Sequence, residues 1–171
     1  MGQRDTISGH IQEAWYVPGT ERQLRWLRES NSRVVRSLPR ADPWPPLYRR
    51  MFSFSPEESG GGNGNADLDG YPTSTYRGRV IYFGGSFSSL YREWDQWLDK
   101  FEGLLRRLYW EHAVVVLETG GMGHYVYRWD ASRDRDAIID NFTFKSAPAP
   151  VRSWTFTGGP RSFTSTSGSP D

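Results

Sequence analysis

The chain has 171 residues, 36% of them hydrophobic, 24% charged and 15% aromatic, and contains no cysteine. That excludes a disulfide scaffold, a thiol nucleophile and thiolate metal ligands. The formal net charge is only +1, although 19 of the 21 basic residues are Arg and only Lys100 and Lys145 are Lys. So small a net charge is no nucleic-acid footprint by itself, and biased coding alone can favour Arg over Lys.

No stretch approaches the roughly 20 apolar residues of a membrane helix, and the first residues lack a signal-peptide pattern, so a cytoplasmic protein is expected. The charge is unevenly spread. Residues 1–52 carry nine Arg against five acids, residues 53–76 carry four acids and no base, and the remainder is nearly balanced.

In chain order, His10–Val17 alternates as a strand and Pro18-Gly19 ends it. Thr20-Glu-Arg-Gln23 has capping-box form, so a helix is expected from there to Leu38, where Pro39 stops it. Leu24, Leu27, Asn31, Val34, Val35 and Leu38 fall on its inner side. On the outer side Arg22, Arg25, Arg33 and Arg36 fall within an arc of about 80°, with Trp26 at its edge. Pro39-Arg-Ala-Asp-Pro-Trp-Pro-Pro46 reads as an extended connector whose Trp44, flanked by prolines, is hard to bury. Residues 56–75 read as a mobile, acidic, Gly-rich loop. Such a loop is expected to do no more than solubilise the chain; the alternative, from the opposite charge of the helix 1 arc, is that residues 56–70 cover that arc until a partner displaces them.

Arg79–Phe83 reads as a second strand, with Gly84-Gly85-Ser86 as a strand-to-helix turn. Leu90–Tyr109 is a second helix, with an apolar stripe of Leu90, Trp94, Trp97, Leu98, Phe101, Leu104, Leu105 and Leu108. Glu111–Thr119 and His124–Trp129 make a hairpin around Gly120-Gly-Met-Gly123, and Ala137–Phe144 could add a strand. Residues 1–145 therefore form one α+β domain and residues 146–171 a low-complexity tail, expected to be disordered. The order β-α-β-α-β-β implies a two-layer fold: a small, mostly antiparallel sheet with both helices on one face.

Three candidate sites follow. The first is the basic-aromatic helix face, Arg22, Arg25, Trp26, Arg33 and Arg36, with Trp44 nearby. It suits an acidic protein partner, or alternatively phosphates with a stacked base. The second is a phosphate cradle at Gly84, Gly85 and Ser86, although the spacing matches neither a Walker A loop nor a dinucleotide fingerprint. The third is the hairpin polar set His112, Glu118, His124, Arg128 and Asp130, where Glu118 and His124 are the catalytic candidates for metal-independent hydrolysis or nuclease chemistry. The expected register pairs Thr119 with His124. It places His112 and Glu118 on one face and His124 and Arg128 on the other, which argues against a joint site. The three His have no metal-site spacing, and no cofactor or metal is expected. The composite expectation is a cytoplasmic, non-catalytic accessory module that recognises a protein partner, with nucleic-acid binding as the alternative and a small hydrolase or nuclease as the second alternative.

Overall fold

The computed structural model describes residues 4–14, 21–55, 79–132 and 150–163. The elements are strand β1 (Arg4–Glu13), helix α1 (Glu21–Arg36), strands β2 (Phe52–Phe54) and β3 (Val80–Ser88), helix α2 (Trp94–Leu105), and strands β4 (Trp110–Thr119), β5 (Gly123–Ala131) and β6 (Trp154–Gly158). Single 3-10 turns at Arg49–Met51 and Leu90–Glu93 lead into β2 and α2. All strands join one sheet in the order β2-β3-β1-β4-β5-β6, with every neighbouring pair antiparallel. This is the two-layer α+β arrangement that the alternation of elements predicts.

One face of the sheet holds the core. Ile7, Ile11, Ile81, Ala113, Val115, Leu117, Tyr127 and Trp129 are fully buried there, each at every second position of its strand as the pleat dictates. The α2 stripe covers them. Trp94 stacks on Trp97 at 5.0 Å, and Trp97 on Phe101 at 5.3 Å, because i,i+3 and i,i+4 neighbours share one side of a helix. Phe101 then meets Phe83 at 5.2 Å and Trp129 at 5.1 Å. Aromatic pairs of this kind add about 0.5–1.5 kcal/mol each beyond their burial.

Helix α1 joins the same core through Val34, Val35 and Leu38, and it is attached through a buried polar cluster. Arg79 Nε and Nη2 donate to the two carboxylate oxygens of Glu13, both at 2.7 Å. Nη2 also donates to Ser32 Oγ and to the Arg28 carbonyl on the helix. Asn31 of the same helix donates to Glu13 and to the Tyr109 carbonyl, and accepts from the Tyr109 N–H. Glu13 is 2% exposed and Arg79 8%. An ion pair that deep is tolerable because both Glu13 oxygens and the Nε and Nη2 of Arg79 have hydrogen-bond partners.

The Pro-rich connector is pinned onto α2. Lys100 Nζ donates to Asp42 at 2.7 Å, to the Pro43 carbonyl at 2.9 Å and to the Pro45 carbonyl at 2.8 Å, while Trp97 Nε1 donates to the Pro46 carbonyl. The Trp44–Pro45 peptide is cis. Arg49 N–H closes the loop on the Pro39 carbonyl.

The structure departs from the expected elements in five places, the first being strand β2 (Phe52–Phe54), which no expected element covers. Strand β1 begins six residues before His10 and is central in the sheet. Its core-facing positions include Asp5, Gly9 and Glu13, which hides the alternation from a hydrophobicity reading. Strand β3 runs straight through Gly84-Gly85-Ser86, which pair with Ser8, Ile7 and Thr6. The hairpin register is one residue away from the expected one, with Thr119 opposite Gly123 and Glu118 opposite His124. Trp154–Gly158, inside the segment read as tail, adds strand β6 beside β5. The acidic loop 56–75, the Thr20 cap, Trp15 and the Ala137–Phe144 strand lie outside the described residues.

The segment after β6 also caps α2. Glu102 lies buried and accepts from Trp129 Nε1 at 3.0 Å and from Arg161 Nη1 and Nη2 at 2.8 and 3.0 Å. Burial pushes its pKa upward, but the hydrogen bonds from Arg161 and Trp129 outweigh this and hold the carboxyl below the ordinary value of 4.5. A carboxylate depressed in the folded state stabilises it above the unfolded pKa and loses that contribution as pH falls. Unfolding free energy is therefore expected to decline from about pH 6 to about pH 3, and Glu102→Gln to flatten that decline. Urea titrations of both proteins across this range test it; parallel profiles would remove Glu102 from the account.

Candidate functional site

Of the residues read from sequence as a basic-aromatic site, the arginines lie on α1 and the two tryptophans also pack against residues of other elements. Arg22, Arg25, Arg33 and Arg36 are all exposed. Trp26, however, is half-buried and packs edge-on against Tyr109 at 5.7 Å in a small cluster with Ala14 and Leu27. Its ring serves the attachment of α1. Trp44 is 48% exposed, with its indole N–H donating to Glu93 at 3.0 Å and its ring edge-on to Phe87. That pins one side of the side chain to residues outside α1.

Arg36 belongs instead to a cleft of about 550 Å³ lined by Val35, Arg36, Arg40, Arg49, Arg50, Phe52 and Phe54. Each lining side chain has a structural reason to be there. Val35 and Arg36 end α1, and Val35 turns inward so Arg36 turns out. Arg40 lies just beyond Pro39, at the start of the connector. Arg49 and Arg50 form the 3-10 turn that the Arg49–Pro39 bond closes. Phe52 and Phe54 alternate on β2 and face the helix layer, because their register partners are core-facing Phe83 and Ile81. Four guanidinium groups thus converge over an apolar floor, and the lining includes no acid among the described residues. A second observation fixes the floor: Arg79, held by Glu13, lies over the Phe54 ring at 4.3 Å, and Phe52 packs on Phe83 at 5.5 Å. The cleft borders β2, the edge strand of the sheet.

Sequence periodicity alone singles out only Arg36 of this set. The others come from a connector, a single 3-10 turn and a three-residue strand, none long enough to carry a period. The available signal was the density of Arg around the prolines, Arg40, Arg49 and Arg50 within eleven residues.

The Gly84-Gly85-Ser86 cradle does not exist as a helix N-terminus. These residues are mid-strand, and the backbone groups that a phosphate would use face a neighbouring strand. Ser89, which precedes the 3-10 turn, makes no side-chain cap.

The hairpin polar set shares one sheet face rather than two, as two separate pairs. In the observed register His112, Glu118, His124, Arg128 and Asp130 all occupy the sheet face opposite the core. His112 Nδ1 lies 2.6 Å from Asp130 Oδ1, and Glu118 lies 3.4 Å from His124 at the hairpin tip. No group of three or more His, Asp or Glu among the described residues is arranged to hold a metal ion. Comparison with known proteins found no matching family model, curated protein or solved structure.

Proposed function

We propose that this chain is a binding module that captures an acidic, extended segment of a protein partner in the arginine cleft. The observation that carries this reading is the convergence of Arg36, Arg40, Arg49 and Arg50 over Phe52 and Phe54 with no acid in the described lining. Guanidinium groups bind carboxylates through two parallel hydrogen bonds, so four of them read a run of Asp or Glu at fixed spacing. The apolar floor accepts a side chain between those acids, and β2, the edge strand among the described residues, lies next to it and suits main-chain pairing with an extended peptide.

Two features favour a peptide over nucleic acid. The rings that would stack a base are already engaged, Phe54 by Arg79 and Phe52 by Phe83. The basic surface is also one compact cleft on a chain of net charge +1, whereas non-specific strand binding uses a groove that tracks several phosphates.

The test is fluorescence anisotropy with two probes, an acidic peptide of alternating Glu and Phe and a single-stranded oligoribonucleotide of similar net charge. Wild type is expected to bind the peptide more tightly than the RNA. The double change Arg49→Glu with Arg50→Glu is expected to weaken peptide binding by at least tenfold, equivalent to about 1.4 kcal/mol. Tighter RNA binding that the Arg49→Glu with Arg50→Glu change abolishes, with log affinity falling steeply against log salt, would assign the cleft to nucleic acid instead.

A further inference from the structure

The sheet face opposite the core carries a second arrangement, independent of the cleft. Its centre is Val114 on β4, whose register partners are His10 on β1 and Arg128 on β5. The next residue on this face of β4 is His112, which lies opposite Asp130. His10, His112 and Arg128 therefore surround one small aliphatic side chain on three sides. The spacing between strands is about 4.8 Å, so His10 and Arg128 stand on alternate strands about 10 Å apart, one on each side of Val114. The two imidazole rings are 6.2 Å apart. His112 is oriented by Asp130, whose carboxylate accepts from Nδ1 at 2.6 Å, which leaves Nε2 as the nitrogen that can act on a ligand. Tyr82, 47% exposed, flanks His10 on β3.

We propose that this face cleaves RNA without a metal ion, with His10 as general base, His112 as general acid and Arg128 as the cation on the phosphate. His10 takes the proton of the ribose 2′-hydroxyl, and the 2′-oxygen forms a bond to phosphorus. The bond from phosphorus to the 5′-oxygen breaks, and that oxygen leaves with the proton from His112. The products are a 2′,3′-cyclic phosphate and a 5′-hydroxyl, with His10 one proton richer and His112 one proton poorer until both exchange with water. Arg128 offsets the negative charge that builds on the non-bridging oxygens. Asp130 is a positioning residue: it fixes the ring of His112 and balances its imidazolium charge. Tyr82 offers an exposed ring on which a base can stack.

The electrostatics agree with the division of roles. Burial, and secondarily the nearby His112, lower the pKa of His10 from its ordinary value of 6.5, which keeps this ring neutral and able to accept a proton near neutrality. Among the described residues, the titratable and charged groups facing it from the adjoining strands include Tyr82, His112, Arg128 and Asp130. Glu118 and His124 lie four residues further along their strands, about 13 Å from the centre, and take no part in the reaction.

The experiment uses the full chain, excess EDTA and a single-stranded oligoribonucleotide containing every dinucleotide step. Cleavage to cyclic-phosphate ends is expected, with an acid limb whose midpoint lies below 6.5, and the all-deoxy oligonucleotide should remain intact. His10→Asn and His112→Gln are each expected to lower the rate by about 100-fold or more, with circular dichroism verifying the fold. His10→Gln serves as the second variant at the base position. Asp130→Asn should lower kcat while KM holds. The proposal is overturned by absence of cleavage above that of the His10→Ala/His112→Ala double variant, by cleavage that EDTA abolishes, or by cleavage lost in Glu118→Gln or His124→Ala but retained in His10→Asn and His112→Gln.

Discussion

Arg79→Met is expected to destabilise the protein by about 3–5 kcal/mol, the range found when one partner of a buried ion pair is removed. The Glu13 carboxylate, 2% exposed, would keep only the Asn31 amide at 3.1 Å, and an uncompensated charge in that environment is costly. The Ser32 hydroxyl and the Arg28 carbonyl would lose a donor at the same time. Because the cost lies in the orphaned charge and not in the loss of a favourable pair, Glu13→Met combined with Arg79→Met should recover much of the stability, since well-packed apolar replacements of buried pairs are often neutral. Guanidinium unfolding of the three proteins makes the comparison. A loss for Arg79→Met of under about 1 kcal/mol would class the pair with surface salt bridges. The variant also bears on function, since the same guanidinium lies over Phe54 in the floor of the cleft.

Gly9→Ala should also be severe, at about 3 kcal/mol or more, at the upper end of overpacking costs. The sign is the informative part. Glycine in a strand interior is ordinarily a weakness, and alanine there would be expected to help by about 0.5–1 kcal/mol. On β1 the added Cβ would meet the Val114 carbonyl oxygen and the Phe83 ring, whose Cζ would be 2.5 Å away. The carbonyl belongs to the adjoining strand of the ladder and cannot yield without shifting β4. Phe83 is held between Phe52, Trp97 and Phe101, so it has no empty volume to enter. Shrinking the ring, Gly9→Ala with Phe83→Leu, should cost less than the sum of the two single changes, as contacting sites couple. Additive losses, or a stabilised Gly9→Ala, would show that the close approach is not what selects glycine.

Sequence periodicity reveals α2, the β4–β5 hairpin and the inner side of α1, because in each the apolar residues recur at the period of the element. Leu27, Asn31, Val35 and Leu38 are buried in the structure, and so are Leu90, Trp94, Trp97, Leu98, Phe101, Leu104, Leu105 and Leu108. Periodicity fails on β1, where Asp5, Gly9 and Glu13 occupy core-facing positions. Asp5 is buried because it accepts the Tyr91 N–H, Glu13 because Arg79 arrives from 66 residues away, and position 9 is a glycine because the Phe83 ring takes the space of a side chain. Each reason is tertiary, so none leaves a local trace. The hairpin illustrates how little separates two chemical readings: moving the turn by one residue exchanges the faces, and the observed register unites His112, Arg128 and Asp130 on one side. For the cleft, Arg36 was visible as part of a helix face, but the partners that give it meaning come from segments too short for any periodicity. Strand β6 was hidden by its composition, since the Thr, Ser and Gly around Trp154 and Phe156 read as tail.

Lys100 is one of only two lysines in a chain that otherwise uses arginine for positive charge. Its ammonium reaches Asp42 and the carbonyls of Pro43 and Pro45, three acceptors arranged around a single nitrogen, as a tetrahedral donor can satisfy and a planar guanidinium cannot. The loop so held runs from Pro39 to Arg49 and carries Arg40, with Arg50 directly after it. Three of the four cleft guanidiniums are therefore mounted on a backbone that is rigid before any ligand arrives. Association at the cleft then requires little coupled ordering, and its heat-capacity change should reflect only the area covered, without the larger signature of a segment that folds on binding.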